Sequence, residues 1–484
     1  MKLLDDILTN ITLTTDAPRP AIEITSIEFD SRKVGKGCLF VAQRGVHVDG
    51  HQYIAKAVEQ GAAAVVCEEL PEERRDGVVY IQVDDSSKAL GIMADNWYNH
   101  PSRSLKLLGV TGTNGKTTTA TLLYDLMRAH GCKAGLISTI VNKIDGKEMP
   151  TCHTTPDAME LNALLAEMVE AGCEWCFMEV SSHAVVQQRI AGLTFAGGIF
   201  SNITHDHLDY HKTMAAYIAA KKGFFDALPR DAWALTNRDD RNGMVMVQNT
   251  KAAVHTYALE TVADFRCRMV ESSFDGTLLE LNGSEVWCRL VGRFNAYNLT
   301  AIYGAAVLCG IDKDEALRLL SGLKPVDGRF EYITGQGITA VVDYAHTPDA
   351  LQNVLGTING VQRQGKLILV VGCGGDRDKT KRPEMAQIGA RGADMLILTS
   401  DNPRTEDPEA ILDDMEKGLT EEMKANMLRI TDRRQAIRTA CKMAAKGDII
   451  LVAGKGHETY QEINGVRHHF DDREELREEL TIKN

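Results

Sequence analysis

The stretch Gly109-Val-Thr-Gly112-Thr-Asn-Gly115-Lys116-Thr117-Thr118 joins an apolar run, residues 105–110, to residues 117–130, which have helical spacing. A strand, a glycine-rich loop and a helix in this order are typical of a site that binds phosphate. Glycines let backbone N–H groups approach the phosphates, and the helix N-terminus adds positive potential. Lys116 is expected to reach the terminal phosphates, and the Thr117 hydroxyl is expected to ligate Mg²⁺.

The loop departs from the strict pattern at one position. That pattern places a glycine five residues before Gly115, where this chain has Val110. The alternative to a phosphate site is merely a tight turn between strand and helix, but Gly-Lys-Thr-Thr opens the helix in the expected context. The sequence therefore predicts a variant phosphate loop that binds a nucleoside triphosphate through Gly112, Thr113, Asn114, Gly115, Lys116, Thr117 and Thr118.

Length and charge limit the class of protein. The 484 residues correspond to about three domains at roughly 150 residues each. The net charge of −13 argues against a partner held by nucleic-acid phosphates. The longest apolar runs, residues 367–371 and 449–453, are far shorter than the roughly 18 residues of a membrane span. The first residues lack the apolar region of a signal peptide, so we expect a cytoplasmic protein without a membrane span.

Eleven cysteines are scattered without a regular framework, which is typical of free thiols in a reducing compartment. Cys173 and Cys176 form one Cys-x-x-Cys pair, but no second pair follows. A redox or zinc role is therefore disfavoured. We expect both thiols to pack as small apolar groups at the start of a buried strand.

The order of elements predicts an α/β fold. Short β-branched runs alternate with helical stretches, which indicates βαβ units and parallel sheets. Residues 99–102 and 324–328, rich in polar residues, proline and glycine, suggest domain boundaries. We expect domains at residues 1–102, 103–328 and 329–484. Predicted strands are 24–29, 38–42, 63–67, 78–83, 105–110, 175–180, 199–203, 232–236, 340–344, 367–371, 395–399 and 449–453; predicted helices are 53–60, 86–97, 117–130 and 299–310.

Polar residues follow the predicted strands of the second domain. Glu179 ends an apolar run, where a carboxylate is costly to bury without a cation or hydrogen bonds. The next strand precedes a histidine-rich segment that contains His207. Thr117, Glu179 and His207 could meet around Mg²⁺, with zinc as the alternative for a histidine-rich segment. The neighbouring His205, Asp209 and His211 are equally consistent with a role in pinning the loop, and helical spacing alone favours a surface position for Lys221.

Polar or glycine-rich loops also follow the strands of the third domain, at residues 346–349, 372–379, 401–404 and 454–458. Open parallel sheets bind ligands at the carboxyl ends of their strands. We therefore expect a second ligand at this edge.

Together these motifs resemble those of the Mur ligase family, the ATP-dependent amide-bond-forming enzymes of peptidoglycan synthesis. The resemblance covers essentially the whole chain. It implies a small N-terminal α/β domain for the UDP end of a substrate, a central domain with a parallel sheet like that of P-loop NTPases, and a Rossmann-like C-terminal domain for an amino acid. The matching segments are the phosphate loop, Glu179-Val-Ser-Ser-His183, Ser201-Asn-Ile-Thr-His-Asp-His-Leu-Asp-Tyr-His211, Gly292-Arg-Phe-Asn-Ala-Tyr-Asn298 and Asp343-Tyr-Ala-His346.

Within the family, further motifs are similar to those of members that extend UDP-N-acetylmuramoyl-L-alanyl-D-glutamate. The motif Asp401-Asn-Pro-Arg404 resembles the form that adds meso-diaminopimelate rather than L-lysine. Diaminopimelate is lysine with a second carboxylate at its far end, and a guanidinium group binds a carboxylate bidentately. The other motifs are Asp30-Ser-Arg32, Leu39-Phe-Val-Ala42, His153-Thr-Thr-Pro156 and Gly454-Lys-Gly-His-Glu458.

The resemblance implies three sets of binding residues. The adenine nucleotide is contacted, in addition to the loop, by Asn298, Arg329 and Asp343. The nucleotide-sugar dipeptide is held by Phe29, Ser31, Val46, His47, Val48, His153, Thr154, Thr155, Ser181, Gln187 and Arg189. Diaminopimelate is held by Arg377, Asp401, Asn402, Pro403, Arg404, Gly454 and Glu458.

The resemblance also implies the chemistry. Lys221 is carbamylated by CO₂, which turns an ammonium into an anion that helps to position Mg²⁺. The catalytic residues are Lys116, Glu179, His207 and Lys221, and the metal ligands are Thr117, Glu179, His207 and carbamylated Lys221. A substrate carboxylate attacks the γ-phosphate of ATP, and the amine then attacks the acyl phosphate. The implied partners are these small molecules alone, with no nucleic acid, and the enzyme is expected to be a monomer.

Three alternatives remain open at this stage. An L-lysine-adding ligase of the same type differs only in the residues around Arg404. A folylpolyglutamate synthetase-like ligase shares the phosphate loop but does not explain residues 30–32 or 401–404. An ATP-binding regulator without catalysis is difficult to reconcile with the presence of Lys116, Glu179, His207 and Lys221 together.

Overall fold

The computed structural model describes residues 1–14, 21–45, 48–151, 153–361 and 365–481. Three groups of α/β elements follow one another along the chain, and each is built on its own sheet of four or more strands. The α/β fold class predicted from the sequence is confirmed. In the described parts of the chain, no helix is both long and apolar enough to cross a membrane.

The N-terminal group contains a four-stranded parallel sheet in the order β3-β4-β5-β6, and β1 pairs with β2 beside it. The predicted strand 24–29 is wrong as a single element, because its two ends join different sheets: β2 pairs with β1 and β3 pairs with β4. The elements are β1 (Lys2–Leu3), α1 (Leu4–Ile7), β2 (Glu23–Ile24), β3 (Ile27–Glu28), β4 (Leu39–Val41), α2 (Ile54–Glu59), β5 (Ala64–Cys67), β6 (Val79–Gln82) and α3 (Ser86–Trp97).

The central group forms an eleven-stranded sheet, ordered β10-β9-β8-β11-β7-β12-β13-β14-β15-β16-β17. Strands β8 to β15 along this order are parallel, and antiparallel strands extend both ends. The strands are β7 (Lys106–Thr111), β8 (Ala134–Ile137), β9 (Asn142–Ile144), β10 (Lys147–Met149), β11 (Trp175–Glu179), β12 (Gly197–Phe200), β13 (Trp233–Asn237), β14 (Ala253–Ala258), β15 (Phe265–Ser273), β16 (Gly276–Leu281) and β17 (Ser284–Cys288).

Helices cover both faces of the central sheet. Successive strand side chains point to opposite faces, so Leu108 packs with α4 and α10 whereas Leu107 packs with α5 and α8. Burial on both faces explains the nearly continuous apolar runs of these strands. The helices are α4 (Lys116–Ala129), α5 (Ala158–Glu170), α6 (Ser182–Val186), α7 (Leu208–His211), α8 (Met214–Asp226), α9 (Gly243–Met246), α10 (Arg293–Leu308) and α11 (Lys313–Gly322).

Two predicted elements of the central group are displaced. The strand expected at 199–203 ends at Phe200, because Ser201 and Asn202 leave the sheet and hydrogen-bond to Asn114 of the phosphate loop. The helix expected at 299–310 begins at Arg293 and so includes the motif that ends at Asn298. Cys173 and Cys176 are unpaired and pack in the apolar core, as predicted.

The C-terminal group is built on a six-stranded sheet, ordered β18-β19-β23-β20-β21-β22, in which only β18 is antiparallel to its neighbour. A hairpin of β24 and β25 stands apart from it. The elements are β18 (Glu331–Gly335), β19 (Ile338–Asp343), α12 (Pro348–Gly360), β20 (Leu367–Val371), α13 (Lys381–Gly392), β21 (Met395–Leu398), α14 (Pro408–Glu416), α15 (Glu421–Lys424), β22 (Met427–Arg429), α16 (Arg433–Met443), β23 (Ile449–Ala453), β24 (Tyr460–Ile463), β25 (Val466–His469) and α17 (Asp472–Leu480).

An ion pair without solvent exposure joins α16 to α17. Arg433 donates to both carboxylate oxygens of Asp472, at 2.8 and 2.7 Å, and Nη2 also donates to the Ala453 carbonyl oxygen at the end of β23. Because β23 lies inside the sheet, this arginine connects the outer helices to the strand that precedes a predicted ligand-binding loop.

We predict that Arg433→Met destabilises this part of the fold by about 3–5 kcal/mol, because it leaves the Asp472 carboxylate buried without its cation. Urea unfolding measures the change. The neighbouring Arg434 pairs with Glu475 at an exposed site, so Arg434→Met is the matched control and should cost less than about 1 kcal/mol. Equal losses in the two variants would contradict the role given to burial.

Candidate active site

The phosphate loop lies between β7 and α4 and is held from the side by the segment after β12. Gly112 has a φ of +148°, and a Cβ atom there would lie 1.9 Å from the Ser201 hydroxyl oxygen. Ser201 Oγ donates to the Asn114 carbonyl oxygen at 2.6 Å, and the Asn114 N–H donates to Asn202 Oδ1 at 3.0 Å. Glycine is therefore required at position 112 both for its backbone angle and for this close approach.

A cavity of about 440 Å³ opens above the loop. Every predicted nucleotide-binding residue lines it except Gly112, whose carbonyl oxygen instead accepts hydrogen bonds from two lysines. The residues that line it are Thr113, Asn114, Gly115, Lys116, Thr117, Thr118, Asn298, Arg329 and Asp343.

Arg329 and Asp343 bring the C-terminal group to this cavity. Arg329 Nη2 donates to Thr117 Oγ1 at 3.2 Å, and the guanidinium lies 4.5 Å from the centre of the Tyr344 ring. Asp343 accepts a hydrogen bond from the Phe330 N–H at 2.7 Å. Burial raises the pKa of Asp343 to about 6, although Arg329 opposes the shift. The nucleotide cavity is thus closed by residues from both sides of the predicted boundary at 328.

Glu179, at the end of β11, is fully buried. Its Oε1 accepts a hydrogen bond from the Thr139 N–H at 2.8 Å, but its Oε2 is buried and has no hydrogen-bond partner among the described residues. An orphaned carboxylate oxygen beside a phosphate loop fits a hard cation such as Mg²⁺. Among the described residues, no three His, Cys, Asp or Glu side chains are arranged to hold a metal by themselves, so other oxygen donors would have to complete the coordination.

His207 follows β12 in the left-handed conformation, with a φ of +53°, and lines the nucleotide cavity. Partial burial lowers its pKa, which favours the neutral imidazole, the form with a nitrogen lone pair that can bind a metal. Its Nε2 lies 3.4 Å from Asp206 Oδ2. Burial alone would raise the pKa of Asp206, but the protonated forms of His207 and His346, together with Lys381, lower it.

The remaining histidines of this segment have other contacts. His211 Nε2 lies 2.9 Å from Ser182 Oγ, and burial lowers the pKa of His211 to about 4. His205 is half-exposed and lies 3.5 Å from Asp378. These contacts are those of residues that pin the loop, the second of the two interpretations that the sequence allowed.

Lys221 is buried, not on the surface as its helical spacing alone suggested. Its side chain is 1% exposed, and Nζ donates to the Gly112 carbonyl oxygen at 2.7 Å. Lys116 Nζ donates to the same oxygen at 3.0 Å and to the Thr113 carbonyl oxygen at 2.9 Å. Burial and the neighbouring Lys116 lower the pKa of Lys221 well below its ordinary value. The shift favours the neutral amine, which is the nucleophilic form of a lysine.

A second cavity of about 960 Å³ adjoins the first. It contains five residues of the predicted nucleotide-sugar set and three of the predicted amino-acid set, together with Lys221. The first group is His153, Thr154, Thr155, Ser181 and Arg189, and the second is Arg377, Arg404 and Glu458. Lys116, Thr139, Thr154, His207 and Tyr344 line both cavities and so mark their junction.

Several predicted sugar-dipeptide residues lie outside the lining of these cavities. Gln187 acts behind it: its Oε1 accepts hydrogen bonds from Arg189, whose Nη1 donates to the Thr155 carbonyl oxygen at 2.7 Å. Phe29, Ser31 and Val48 belong to the N-terminal group, and Val48 is exposed. Val46 and His47 lie outside the described residues.

The amino-acid set is clustered at the carboxyl ends of the C-terminal strands. Arg404 has a φ of +53°, and its Nη1 donates to the Gly375 carbonyl oxygen at 2.6 Å. Asn402 Nδ2 donates to Glu458 Oε2 at 2.7 Å. Gly454 is close to Asp401, because a Cβ atom at 454 would lie 2.5 Å from Asp401 Oδ2. Asp401, Asn402, Pro403 and Gly454 support the cavity from behind, while Arg377, Arg404 and Glu458 line it.

Several residues without a predicted role lie at the site. Tyr344 lies at the junction, Thr139 orients Glu179, and Lys455 bonds to Asn402 and Glu458. The hairpin of β24 and β25 adds Tyr460, Glu462 and Arg467 to the second cavity. Tyr344 and Lys455 lie within the matching motifs, so the sequence offered a reason to include them in the site. The hairpin contains no such motif.

Family models agree with this arrangement. The model described as "Mur ligase family, catalytic domain" matches residues 23–98, "Mur ligase middle domain" matches residues 110–306, and "Mur ligase, glutamate ligase domain" matches residues 328–456. Each match covers one of the three α/β groups.

Similar proteins extend the likeness to nearly the whole chain. The UDP-N-acetylmuramoyl-L-alanyl-D-glutamate–2,6-diaminopimelate ligase of Parabacteroides distasonis is 59% identical over 459 residues, 94% of each protein. The ligase of the same name from Cytophaga hutchinsonii is 56% identical over 99% of each. A solved structure of a ligase with this name is 34% identical, covers 99% of this chain and 98% of its own, and has a TM-score of 0.71. This chain belongs to the Mur ligase family.

Proposed function

We propose that this protein is an ATP-dependent ligase that joins meso-diaminopimelate to UDP-N-acetylmuramoyl-L-alanyl-D-glutamate in peptidoglycan synthesis. The observation that carries the proposal is the junction of the two cavities. A phosphate loop opens on one side, and on the other side Arg404 and Glu458 face the residues expected to hold the nucleotide-sugar dipeptide. The names of the relatives point to the same substrates.

The reaction we propose has two steps. The γ-carboxylate of the D-glutamyl residue attacks the γ-phosphate of ATP, which forms an acyl phosphate and releases ADP. The amine of diaminopimelate then attacks the acyl carbon, phosphate leaves, and a proton is lost from nitrogen. Lys116, at the junction, is in position to neutralise charge on the transferring phosphoryl oxygens. Exclusion of water from the joined cavities would protect the acyl phosphate from hydrolysis.

Mg²⁺ is the cation that we propose for the nucleotide cavity, where it would neutralise phosphate charge. Thr117, Glu179 and His207 would hold it, together with carbamylated Lys221. The unpartnered Oε2 of Glu179 and the neutral imidazole of His207 support this choice. The Thr139 N–H fixes the other oxygen of Glu179, so the free oxygen keeps its direction.

We also propose that Lys221 is carbamylated. A carbamate forms when a neutral amine attacks CO₂ and releases a proton. The depressed pKa of the Lys221 amine supplies the neutral form. The ammonium form of Lys221 would be repelled by the ammonium group of Lys116, since both donate to the Gly112 carbonyl oxygen. The anionic carbamate would remove this repulsion.

The alternatives are less well supported. An L-lysine ligase has no substrate carboxylate for Arg404 to bind at the far end of the cavity. A folate-type ligase would not use the residues clustered around Asn402 and Glu458. We place the reaction in the cytoplasm, where ATP is available, and expect a monomer, because residues from all three α/β groups of one chain make up the proposed binding sets.

The first test is ADP release by the purified protein with ATP, Mg²⁺ and UDP-N-acetylmuramoyl-L-alanyl-D-glutamate, in parallel with meso-diaminopimelate or L-lysine. We expect turnover with diaminopimelate, because only this amino acid has a second carboxylate at its far end for Arg404 to bind. Turnover with L-lysine alone would keep the ligase and overturn the specificity. No turnover with either would contradict the proposed function.

Arg404→Ala should lower kcat/KM for diaminopimelate roughly 10- to 100-fold, because a charge-assisted, bidentate contact contributes about 1.5–3 kcal/mol. The KM for ATP should change less than about twofold. Arg434→Ala, at an exposed position in the same α/β group, is the control and should leave both parameters unchanged. An equal loss in the ATP and diaminopimelate parameters would contradict a carboxylate contact.

The carbamate is tested by ¹³C NMR in ¹³C-bicarbonate. We expect a carbamate resonance from the wild-type protein and its loss in Lys221→Arg, because a guanidinium does not react with CO₂. The adjacent Lys222 forms an ion pair with Asp226 at 2.6 Å, so Lys222→Arg should keep the resonance. A wild-type spectrum without it, or a signal that persists in Lys221→Arg, would show that Lys221 is not the modified residue.

A further inference from the structure

A buried lysine lies directly behind the cluster of amino-acid-binding residues. Lys455 follows β23, and its side chain has no solvent exposure. Its Nζ donates to Asn402 Oδ1 at 3.2 Å and to Glu458 Oε2 at 3.1 Å, and it lies 5.4 Å from the centre of the Tyr460 ring. Burying an ammonium group is costly unless it is paired. The charge of Lys455 is therefore expected to stabilise the groups that it contacts, above all the Glu458 carboxylate.

The hydrogen bonds around Asn402 fix the orientation of its amide. Oδ1 accepts from Lys455 Nζ and from the Glu462 N–H at 3.0 Å, while Nδ2 donates to Glu458 Oε2. The reversed amide would direct Nδ2 at two donors and Oδ1 at a carboxylate, so only one orientation satisfies all three contacts. Asn402 also remains anchored by the Glu462 N–H, which does not depend on Lys455.

Glu458 is held through one oxygen only. Oε2 accepts hydrogen bonds from Lys455 and Asn402, whereas within the described residues no hydrogen bond engages Oε1. The side chain is 14% exposed and lines the second cavity. Oε1 is therefore the carboxylate oxygen that remains for a ligand.

Several charged or titratable groups surround Glu458. Burial and the nearby Asp401 raise the pKa of Glu458, and Lys455 lowers it. Arg433, Tyr344 and Tyr460 also interact with this carboxylate. Lys455 is the cation of this group that hydrogen-bonds to Glu458 directly. Without it, less positive charge would offset the repulsion between the carboxylates of Glu458 and Asp401.

We propose that Lys455 is a positioning residue for the incoming amino acid, which acts by holding Glu458 as an oriented carboxylate with Oε1 directed at an ammonium group of the substrate. This inference rests on the proposed function, because it takes the second cavity to be the diaminopimelate site. Lys455 itself is not among the residues that line the second cavity, so it would act through Glu458 and not by touching the substrate.

Packing alone would not require a lysine here. A buried ion pair is weak support for stability, since apolar residues of similar volume replace such pairs at little cost. A buried lysine behind a carboxylate that faces a ligand is instead expected where ligand binding depends on the ionisation and the orientation of that carboxylate.

The test begins with Lys455→Met, assayed by steady-state kinetics with each substrate varied. We expect the KM for diaminopimelate to rise at least about tenfold, while kcat and the KM for ATP change less than about threefold. Wild-type turnover with diaminopimelate is measured first, because its absence would sink the proposed function and not this inference. An unchanged KM for diaminopimelate, or a loss shared equally among all parameters, would overturn the role of Lys455.

The chain offers a matched control. Lys417 and Asp414 form an ion pair with the same three-residue spacing, at 2.6 Å, but the Lys417 side chain is 69% exposed. Lys417→Met should therefore leave every kinetic parameter unchanged. A rise in the diaminopimelate KM of this control, equal to that of Lys455→Met, would overturn the assignment.

A double-mutant cycle with Glu458→Gln tests whether Lys455 acts through this carboxylate. We expect Lys455→Met to change the diaminopimelate KM less than about threefold in the Glu458→Gln background, because the group it holds is already neutral. Additive losses would overturn the proposal. The double variant leaves neither member of this buried ion pair without its partner, and Glu458→Gln retains an oxygen that accepts the hydrogen bond of Lys455. The comparison of these two variants therefore decides the question even if Lys455→Met alone fails to fold.

The pH profile provides a measurement that a purely structural role would not change. Glu458 binds an ammonium as its carboxylate, so activity toward diaminopimelate is lost as pH falls through its pKa. Removing Lys455 removes a cause that lowers this pKa. The acidic limb of kcat/KM for diaminopimelate should therefore move to higher pH in Lys455→Met, and an unmoved limb would contradict the proposal.

Discussion

The carbonyl oxygen of Gly112 accepts hydrogen bonds from two amines, those of the partly buried Lys116 and the buried Lys221, and the rest of the site is arranged around this point. Two ammonium groups in a low-dielectric interior repel each other and lose their hydration, so anions must approach them or one must become neutral. Glu179 and Asp206 supply negative charge at the adjacent strand ends. The triphosphate and the carboxylate of the proposed substrates would supply the remainder.

The need for anions near Lys116 and Lys221 also explains why residues from separate sheets meet at the phosphate loop. Asn114 Nδ2 donates to Asp349 Oδ2 at 2.8 Å, and Arg329 donates to Thr117, so the C-terminal group contacts both ends of the phosphate loop. Both parallel sheets present the carboxyl ends of strands to this region, where loops are free to carry polar side chains. In the proposed reaction, a phosphoryl group and an amino acid, each bound at its own sheet edge, would thereby be brought to one junction.

Local sequence was sufficient to predict the elements whose structure depends on residues close to them in the chain. The phosphate loop, the helix at 86–97 and the strands at 367–371 and 449–453 follow from glycine placement and hydrophobic spacing, and the structure confirms them. The strand predicted at 24–29 failed because pairing partners, which the local pattern does not encode, divide it between two sheets. Strand 199–203 ended early for a related reason, since Ser201 and Asn202 bond to a loop nearly 90 residues away.

Side-chain roles that depend on distant contacts were the hardest to predict. Helical spacing placed Lys221 on the surface, and only packing of α8 against the phosphate loop buries it; its importance was foreseen through resemblance alone. Lys455 lies in one of the matching motifs but had no predicted role, because its partner Asn402 comes from the end of another strand. Both lysines illustrate one physical point. A buried cation contributes little net stability by itself, so its position is best understood from the anion it serves. For Lys116 that anion would belong to the proposed substrates and to the nearby Glu179 and Asp206, and for Lys455 it is Glu458, which lines the second cavity. Lys221 would instead become an anion itself in the proposed carbamate.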